Sequence, residues 1–282
     1  MFCHDAAVEQ LTGRVAVVTG AGSGIGRSLA HRLTAAGMRI VAADIEERAL
    51  AETMLRLDEA TSLVIDVSRY DDVVALADHA YATFGSVDVL CNNAGVFAGG
   101  FMWERPAADF EWTLGVNLWG ILHGIRAFVP RMIASGSEGH IVNTVSMAGL
   151  CTNAYSGPYT VSKFAALAAS ECLAHDLAAA GVPITVSTVV PGRVATRIAA
   201  SSRNRPPRLA GTASEDAQFV EQMLAEATTH DAMEPDAAAD LVLAAIRAGT
   251  YLVPTRASYA AQLRERFDAL VDRRLPPMPV FD

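Results

Sequence analysis

The apolar and polar positions of this chain alternate between two periods. Short β-branched runs, of the kind that make strands buried on both faces, are separated by longer stretches with apolar residues at helical spacing. The first strand-like run covers residues 14–19 and is followed by a helical pattern over 27–36. A second run, 38–43, closes at Asp44 before the next helix, and a third covers 62–66. A helix then extends through residue 82, and a fourth run occupies 87–91. Residues 110–132 read as one long helix in which Leu118, Ile121, Leu122, Ile125 and Val129 form a wide apolar stripe. Ile141, Val142 and Val145 mark a strand ending at Ser146, and an Ala- and Leu-rich helix follows Tyr159. A strand over 182–190 ends at Pro191-Gly192.

Residues 193–214 break the rhythm with arginines, prolines and small residues that resist any regular element. Helices at 215–227 and 236–248, a short strand at 251–254 and an amphipathic helix at 257–273 complete the chain before a Pro-rich tail. Strand–helix alternation of this kind predicts an α/β fold: a doubly wound parallel sheet with helices on both faces. No repeat, linker or second domain interrupts it. The expected organisation is a single domain with a core over about 11–254, a lid over 193–230 and a C-terminal extension, 255–282.

The chain has 282 residues, 51% of them hydrophobic, enough to bury a full core. Its net charge of −9 argues against a nucleic-acid surface, which requires a basic face. Cys3, Cys91, Cys151 and Cys172 show neither metal spacing nor a disulfide framework, so reduced thiols, a cytoplasmic setting and no metal site are expected. The first residues lack the basic start and apolar core of a signal peptide, and no apolar run is long enough to predict a membrane span.

Candidate chemistry begins at Gly20-Ala21-Gly22-Ser23-Gly24-Ile25-Gly26, between the first strand and its helix. Glycines there permit a tight turn and close backbone approach, and the helix N-terminus can face a pyrophosphate. Asp44 lies 18 positions beyond Gly26, close to the ~20 expected of a carboxylate that binds an adenosine ribose. Such a carboxylate accepts from two free hydroxyls and repels a 2′-phosphate; Ser23 adds no cation to attract one, which favours NAD over NADP. Asn92-Asn93-Ala94-Gly95 suits a tight loop at a strand's C-terminal end. Asn117, in mid-helix, points equally to packing or to function.

Tyr159 and Lys163 stand at i and i+4 on one helix face, with Ser146 thirteen residues upstream of the tyrosine. Lys163 is the only lysine among 22 basic residues. Arginine serves everywhere else, so this position retains a compact ammonium whose pKa can move.

Together these residues give the chain a clear resemblance to the short-chain dehydrogenase/reductase family, with its Rossmann-type fold. The resemblance spans about 11–254 and rests on Thr19-Gly20-x-x-x-Gly24-x-Gly26, Asn92-Asn93-Ala94-Gly95, Asn117, Ser146, Tyr159-x-x-x-Lys163 and Pro191-Gly192-x-x-x-Thr196. It implies that Tyr159 is a general acid/base and that Ser146 holds the substrate oxygen. Lys163 would bind the nicotinamide ribose and lower the tyrosine's pKa, and Asn117 would hold a relay water. The implied cofactor contacts are Gly20, Ser23, Gly24, Ile25, Gly26, Asp44, Asp66, Val67, Asn93, Ala94, Gly95, Tyr159, Lys163, Pro191, Gly192, Val194 and Thr196.

The expected activity is hydride transfer between NAD and a hydrophobic secondary alcohol or ketone. The alternatives are an NADP-dependent ketone or 3-oxoacyl thioester reductase and, from another class, a catalytically silent dinucleotide sensor. Phe97, Phe101, Met102, Trp103, Met147 and Leu150 are candidates for an apolar substrate pocket, and Tyr155 for its wall. The lid arginines either meet an anionic substrate or solvate a loop. Two broad apolar helices, and family habit, suggest a homo-oligomer, tetramer or dimer.

Overall fold

The structure is a computed structural model that describes residues 8, 10–210 and 214–280. Cys3 and the terminal Phe281-Asp282 lie outside the described residues, as do three residues of the expected lid, 211–213.

The strands are β1 (Val15–Thr19), β2 (Arg39–Asp44), β3 (Ala60–Val64), β4 (Val89–Asn92), β5 (Gly139–Thr144), β6 (Ile184–Val190) and β7 (Leu252–Pro254). They form one seven-stranded sheet in the order β3-β2-β1-β4-β5-β6-β7, with every neighbouring pair parallel. The order reverses between β1 and β4. Loops at the C-terminal ends of those two strands diverge and leave a crevice, the usual place for a ligand in an open parallel sheet.

The apolar runs read as continuous because both sheet faces are covered. Along β1, Val15 and Val17 pack with Leu76, Phe128, Met132 and Leu173. Ala16 and Val18 pack on the other face with Leu29, Leu33, Val242 and Ile246. The helices on the first side are α3 (Tyr70–Phe84), α5 (Gly120–Ser135) and α6 (Gly157–Ala180); on the second are α1 (Gly24–Ala35) and α8 (Pro235–Ala248). The remaining helices are α2 (Glu47–Met54), α4 (Ala107–Leu114), α7 (Glu215–Ala227) and α9 (Tyr259–Val271).

Three expectations need correction. The third strand lies two residues earlier than 62–66, because its register is set by pairing Ile40 with Ala60 and Asp44 with Val64. Asp66 is therefore in the following loop, where its Oδ1 accepts from Ser68 N at 2.9 Å. The long helix over 110–132 is not uniform: a π-helical turn, Gly115–Trp119, separates α4 from α5. The stretch 193–214 contains two 3₁₀ segments, Ile198–Asn204 and Pro207–Leu209. Short 3₁₀ turns leave no long periodic face for a pattern of apolar residues to reveal.

Candidate active site

A cleft of about 860 Å³ lies along the C-terminal ends of the strands. At one end the glycine loop turns from β1 into α1. Gly20 and Gly24 have φ of +68° and +51°, and a Cβ on Gly24 would sit 2.8 Å from Thr196 Cγ2. Side chains are excluded there by backbone conformation and by space at once. Gly20, Ser23, Gly24 and Ile25 line the cleft, whereas Gly26 does not. A Cβ on Gly26 would collide with the Gly20 carbonyl, so that glycine keeps the loop folded on its helix and is not a wall of the cleft.

Asp44, at the end of β2, reaches back to this loop. Its Oδ2 accepts from Gly22 N at 2.7 Å and its Oδ1 from Glu46 N at 2.9 Å. Asp66, Val67, Asn93, Ala94, Gly95, Pro191, Gly192, Val194 and Thr196 also line the cleft. Asn93 is fixed from below, its Nδ2 donating to Thr19 O at 3.0 Å.

At the other end stand Ser146, Tyr159 and Lys163. Ser146 follows β5 and caps a 3₁₀ turn, its Oγ accepting from Ala148 N at 3.1 Å. Pro158 fits the first turn of α6, where its missing N–H is harmless, and the helix then presents Tyr159 and Lys163 one above the other. Lys163 Nζ lies 5.6 Å from the Tyr159 ring centroid and donates to Thr144 O at 3.0 Å. The lysine is only 3% exposed, and burial brings its ammonium down from 10.5 to about 7. A charge so placed is lost easily because little water stabilises it.

Tyr159 differs from the expectation that its pKa is lowered. Burial raises it above the usual tyrosine value, and a hydrogen bond with Ser146 opposes that rise without reversing it. The Phe97 ring, 5.1 Å from the phenol ring, completes its apolar surroundings.

Asn117 is fully buried in the π-helical turn. Its Oδ1 accepts from Val96 N at 2.8 Å, and its Nδ2 donates to Val96 O and Ser162 Oγ, each at 2.9 Å. The amide thus ties the loop after β4 to α6 and is not among the cleft-lining groups.

Of the apolar candidates, Phe97 and Met147 line the cleft and Phe101, Met102, Trp103 and Leu150 do not. Leu150 packs with Cys151 and Val190, while Phe101 and Trp103 stack on each other at the surface, 4.7 Å apart. Tyr155 is a wall residue with φ +61°, a conformation uncommon for a bulky side chain. Its carbonyl accepts from Gly100 N at 2.7 Å.

Sequence reasoning missed Glu46, Trp119, Thr144 and Met278 as walls, and did not single out Leu209, Val220, Met223 and Leu224 within the expected lid. Met278 comes from the C-terminal tail, where Val280 O accepts from Gln262 Nε2 of α9 at 2.8 Å. The extension beyond 254 thus reaches back to the cleft. No local motif marks these residues, since they reach it from segments far apart in the chain.

Four arginines of the stretch 193–214 are paired with carboxylates. Arg197 and Arg203 meet Glu46, Arg205 meets Asp109 at 2.6 Å, and Arg208 meets Glu111 at 2.7 Å. Asp109 also faces Arg105 at 3.5 Å, and Arg105 reaches Asp216 at the start of α7 at 2.9 Å. Among the described residues, no three His, Cys, Asp or Glu side chains gather to hold a metal ion. No described helix is long and apolar enough to cross a membrane.

A glycine turn at the sheet's switch point, a carboxylate at the end of β2 and a Ser–Tyr–Lys cluster in one cleft define a dinucleotide-dependent oxidoreductase of the short-chain type. The family model described as short chain dehydrogenase matches residues 14–207, and the chain belongs to that family. It is 36% identical over 262 residues to 1-deoxy-11-beta-hydroxypentalenate dehydrogenase of Streptomyces avermitilis, covering 90% of this chain and 88% of that one. It is 32% identical over 272 residues to the C alpha-dehydrogenase of a Sphingobium species, covering 93% and 87%. A short chain dehydrogenase/reductase from Burkholderia phymatum, solved in complex with NAD, superposes with a TM-score of 0.93 at 38% identity, covering 96% and 99%. The chain is an oxidoreductase that acts on hydroxyl or keto groups of small molecules with a nicotinamide dinucleotide.

Proposed function

We propose that this enzyme transfers a hydride between NAD and a hydrophobic secondary alcohol or its ketone, with Tyr159 as the general acid/base. The observation that carries this reading is the convergence of Ser146, Tyr159 and the sole lysine at one end of a cleft whose other end presents Asp44.

The cleft suits the dinucleotide on its own chemistry: a side chain at Gly20 or Gly24 would fill the loop, and Asp44 offers a carboxylate without a cation partner among the described residues. Gly20–Ile25 would hold the pyrophosphate, Asp44 the adenosine ribose, Asp66 and Val67 the adenine. Asn93–Gly95, Lys163, Pro191, Gly192, Val194 and Thr196 would hold the nicotinamide half. Bound there, the dinucleotide supplies the hydride chemistry.

The protein's part is geometry and proton transfer. Ser146 Oγ orients the substrate oxygen, and the Tyr159 hydroxyl takes or gives that oxygen's proton. Working near neutrality asks a phenol to shift by roughly three units, about 4 kcal/mol. Burial alone pushes Tyr159 the wrong way, so positive charge must supply the preference for phenolate. Lys163 is the protein's own source of that charge. Phe97, Met147, Leu209, Val220, Met223, Leu224 and Met278 give the substrate end an apolar lining. The described parts of the segment 193–230, with α7, serve as its lid. The relative named for a hydroxypentalenate supports a lipophilic alcohol as the substrate class.

Replacing Tyr159 with Phe tests the assignment. Turnover of lipophilic secondary alcohols should fall at least ~10³-fold while NADH binding is retained. Equal turnover in the two proteins would remove Tyr159 from its role. A cytoplasmic homo-oligomer completes the reading. The exposed Trp119, Ile133 and Val161 on or beside α5 and α6 support self-association, and a concentration-independent monomer mass in sedimentation would exclude it.

A further inference from the structure

Besides Asp66, which the reading above places at the adenine, the adenosine end of the cleft carries four charged side chains. Asp44 and Glu46 line it from the β2–α2 turn, and Arg197 and Arg203 from the segment that crosses it. Glu46 Oε1 accepts from Arg203 Nη2 at 2.6 Å and Nε at 3.0 Å, from Asn204 Nδ2 at 3.0 Å and from Arg197 Nη2 at 3.5 Å. Arg203 Nη1 donates to the carbonyls of Arg197 and Ala200 at 3.1 and 2.7 Å. That guanidinium is therefore committed to Glu46 and to its own loop. Among the described residues, Asp44 receives only backbone N–H groups, from Gly22 and Glu46.

We propose that Glu46 is a cofactor-specificity residue: it sequesters Arg197 and Arg203, which would otherwise present two guanidiniums beside Asp44 and accept a 2′-phosphate. The proposal rests on the reading of Asp44 as the ribose-binding carboxylate. Guanidinium forks are the side chains best matched to phosphate oxygens, and two of them beside the 2′ position make a phosphate site. With Glu46 present, both guanidiniums face its carboxylate, and Asp44 and Asp66 have no ion-pair partner among the described residues. A dianionic phosphate placed there meets repulsion from the carboxylates and finds Arg203 committed and Arg197 drawn toward Glu46. Without Glu46 the two guanidiniums lose their shared carboxylate, and Arg203 keeps only its bonds to the Arg197 and Ala200 carbonyls. The Arg203 hydrogen bond holds the Glu46 carboxyl below the usual range, so it stays ionised throughout neutral pH.

A plain latch, in which Glu46 only holds the crossing segment down, makes a different prediction: removing it would weaken both cofactors alike. The test is equilibrium binding of NADH and of NADPH, titrated by nicotinamide fluorescence at fixed ionic strength, to wild type and Glu46→Gln. Glutamine keeps an acceptor for Asn204 and drops the charge. The ratio Kd(NADPH)/Kd(NADH) should fall at least tenfold in Glu46→Gln and return toward the wild-type value when Arg203→Ala is added. Glu46→Ala gives the same comparison should the glutamine variant fold poorly, and Arg203→Ala alone should keep the preference for NADH. An unchanged ratio in Glu46→Gln overturns the proposal. So does an equal loss of both cofactors, or a change in ratio that persists without the Arg203 side chain. Wild type that prefers NADPH overturns the NAD reading beneath it, and this proposal with it, whatever Glu46 does.

Discussion

Replacing Lys163 with methionine removes a buried charge that the cofactor-free fold tolerates at a cost. Burial brings the ammonium down from 10.5 to about 7, a difference of 3.5 units. At about 1.36 kcal/mol per unit this withholds about 5 kcal/mol of stability whenever the lysine is protonated in both states. The hydrogen bond from Nζ to Thr144 O at 3.0 Å offsets part of the loss on substitution, about 2 kcal/mol for a charged donor. The methionine variant should therefore be the more stable protein at pH 6, by about 3 kcal/mol. The sign with pH follows from proton counting. Between about 7 and 10.5 the unfolded chain binds more protons at this site than the folded one, so the stability contribution is full above 10.5, declines as pH falls, and is gone below about 7. Urea unfolding of both cofactor-free proteins from pH 6 to 10 gives the difference curve, in which other titrating groups cancel. Because Lys163 is the only lysine, a lysine-selective ¹⁵N label also yields a single side-chain Nζ resonance whose midpoint should lie near 7. A difference curve flat in pH, or a midpoint above 10, would refute the reasoning.

Other perturbations test the frame around the site. His140 is fully buried between Thr185 and Ser187, and burial lowers it from 6.5 to about 4. Its neutral form contributes stability that is complete above pH 6.5 and lost as pH falls through about 4, roughly 3 kcal/mol in all. The stability gap between wild type and His140→Gln should accordingly close across that window; parallel curves would count against it. Asp109→Asn leaves two little-exposed guanidiniums, Arg105 and Arg205, without a shared carboxylate. A loss of about 3 kcal/mol in urea unfolding is expected, and a change below about 1 kcal/mol would show that the network carries little stability.

Much of the fold was legible in the residue pattern because a parallel sheet covered on both faces writes itself as short β-branched runs. The runs for β1, β2, β4, β6 and β7 end within one residue of the observed strands. The third strand was misplaced because β3 is an edge strand of half-buried residues, and its register comes from hydrogen bonds to β2 that apolar spacing cannot report. The long helix concealed its π-helical turn for a related reason. Asn117 bonds to Val96 and Ser162, one remote in sequence and the other on a different helix, and neither leaves a local mark.

Sequence by itself determined which candidate groups the cleft brings together: the glycine spacing, Asp44, Ser146 and the Tyr159–Lys163 pair are local patterns whose geometry follows from one turn, one strand end or one helix face. Only the tertiary structure decided the rest of the cleft. It showed Gly26 to be a packing glycine, and turned surface-like arginines into partners of Glu46, Asp109 and Glu111. It also brought Met278 back from the tail to the substrate end. The physical reason is distance along the chain: Arg203 and Glu46 are 157 residues apart, and a contact between them is set by where the strands deliver their loops. The burial that moves Lys163 and Tyr159 in opposite directions is likewise a property of the packed site.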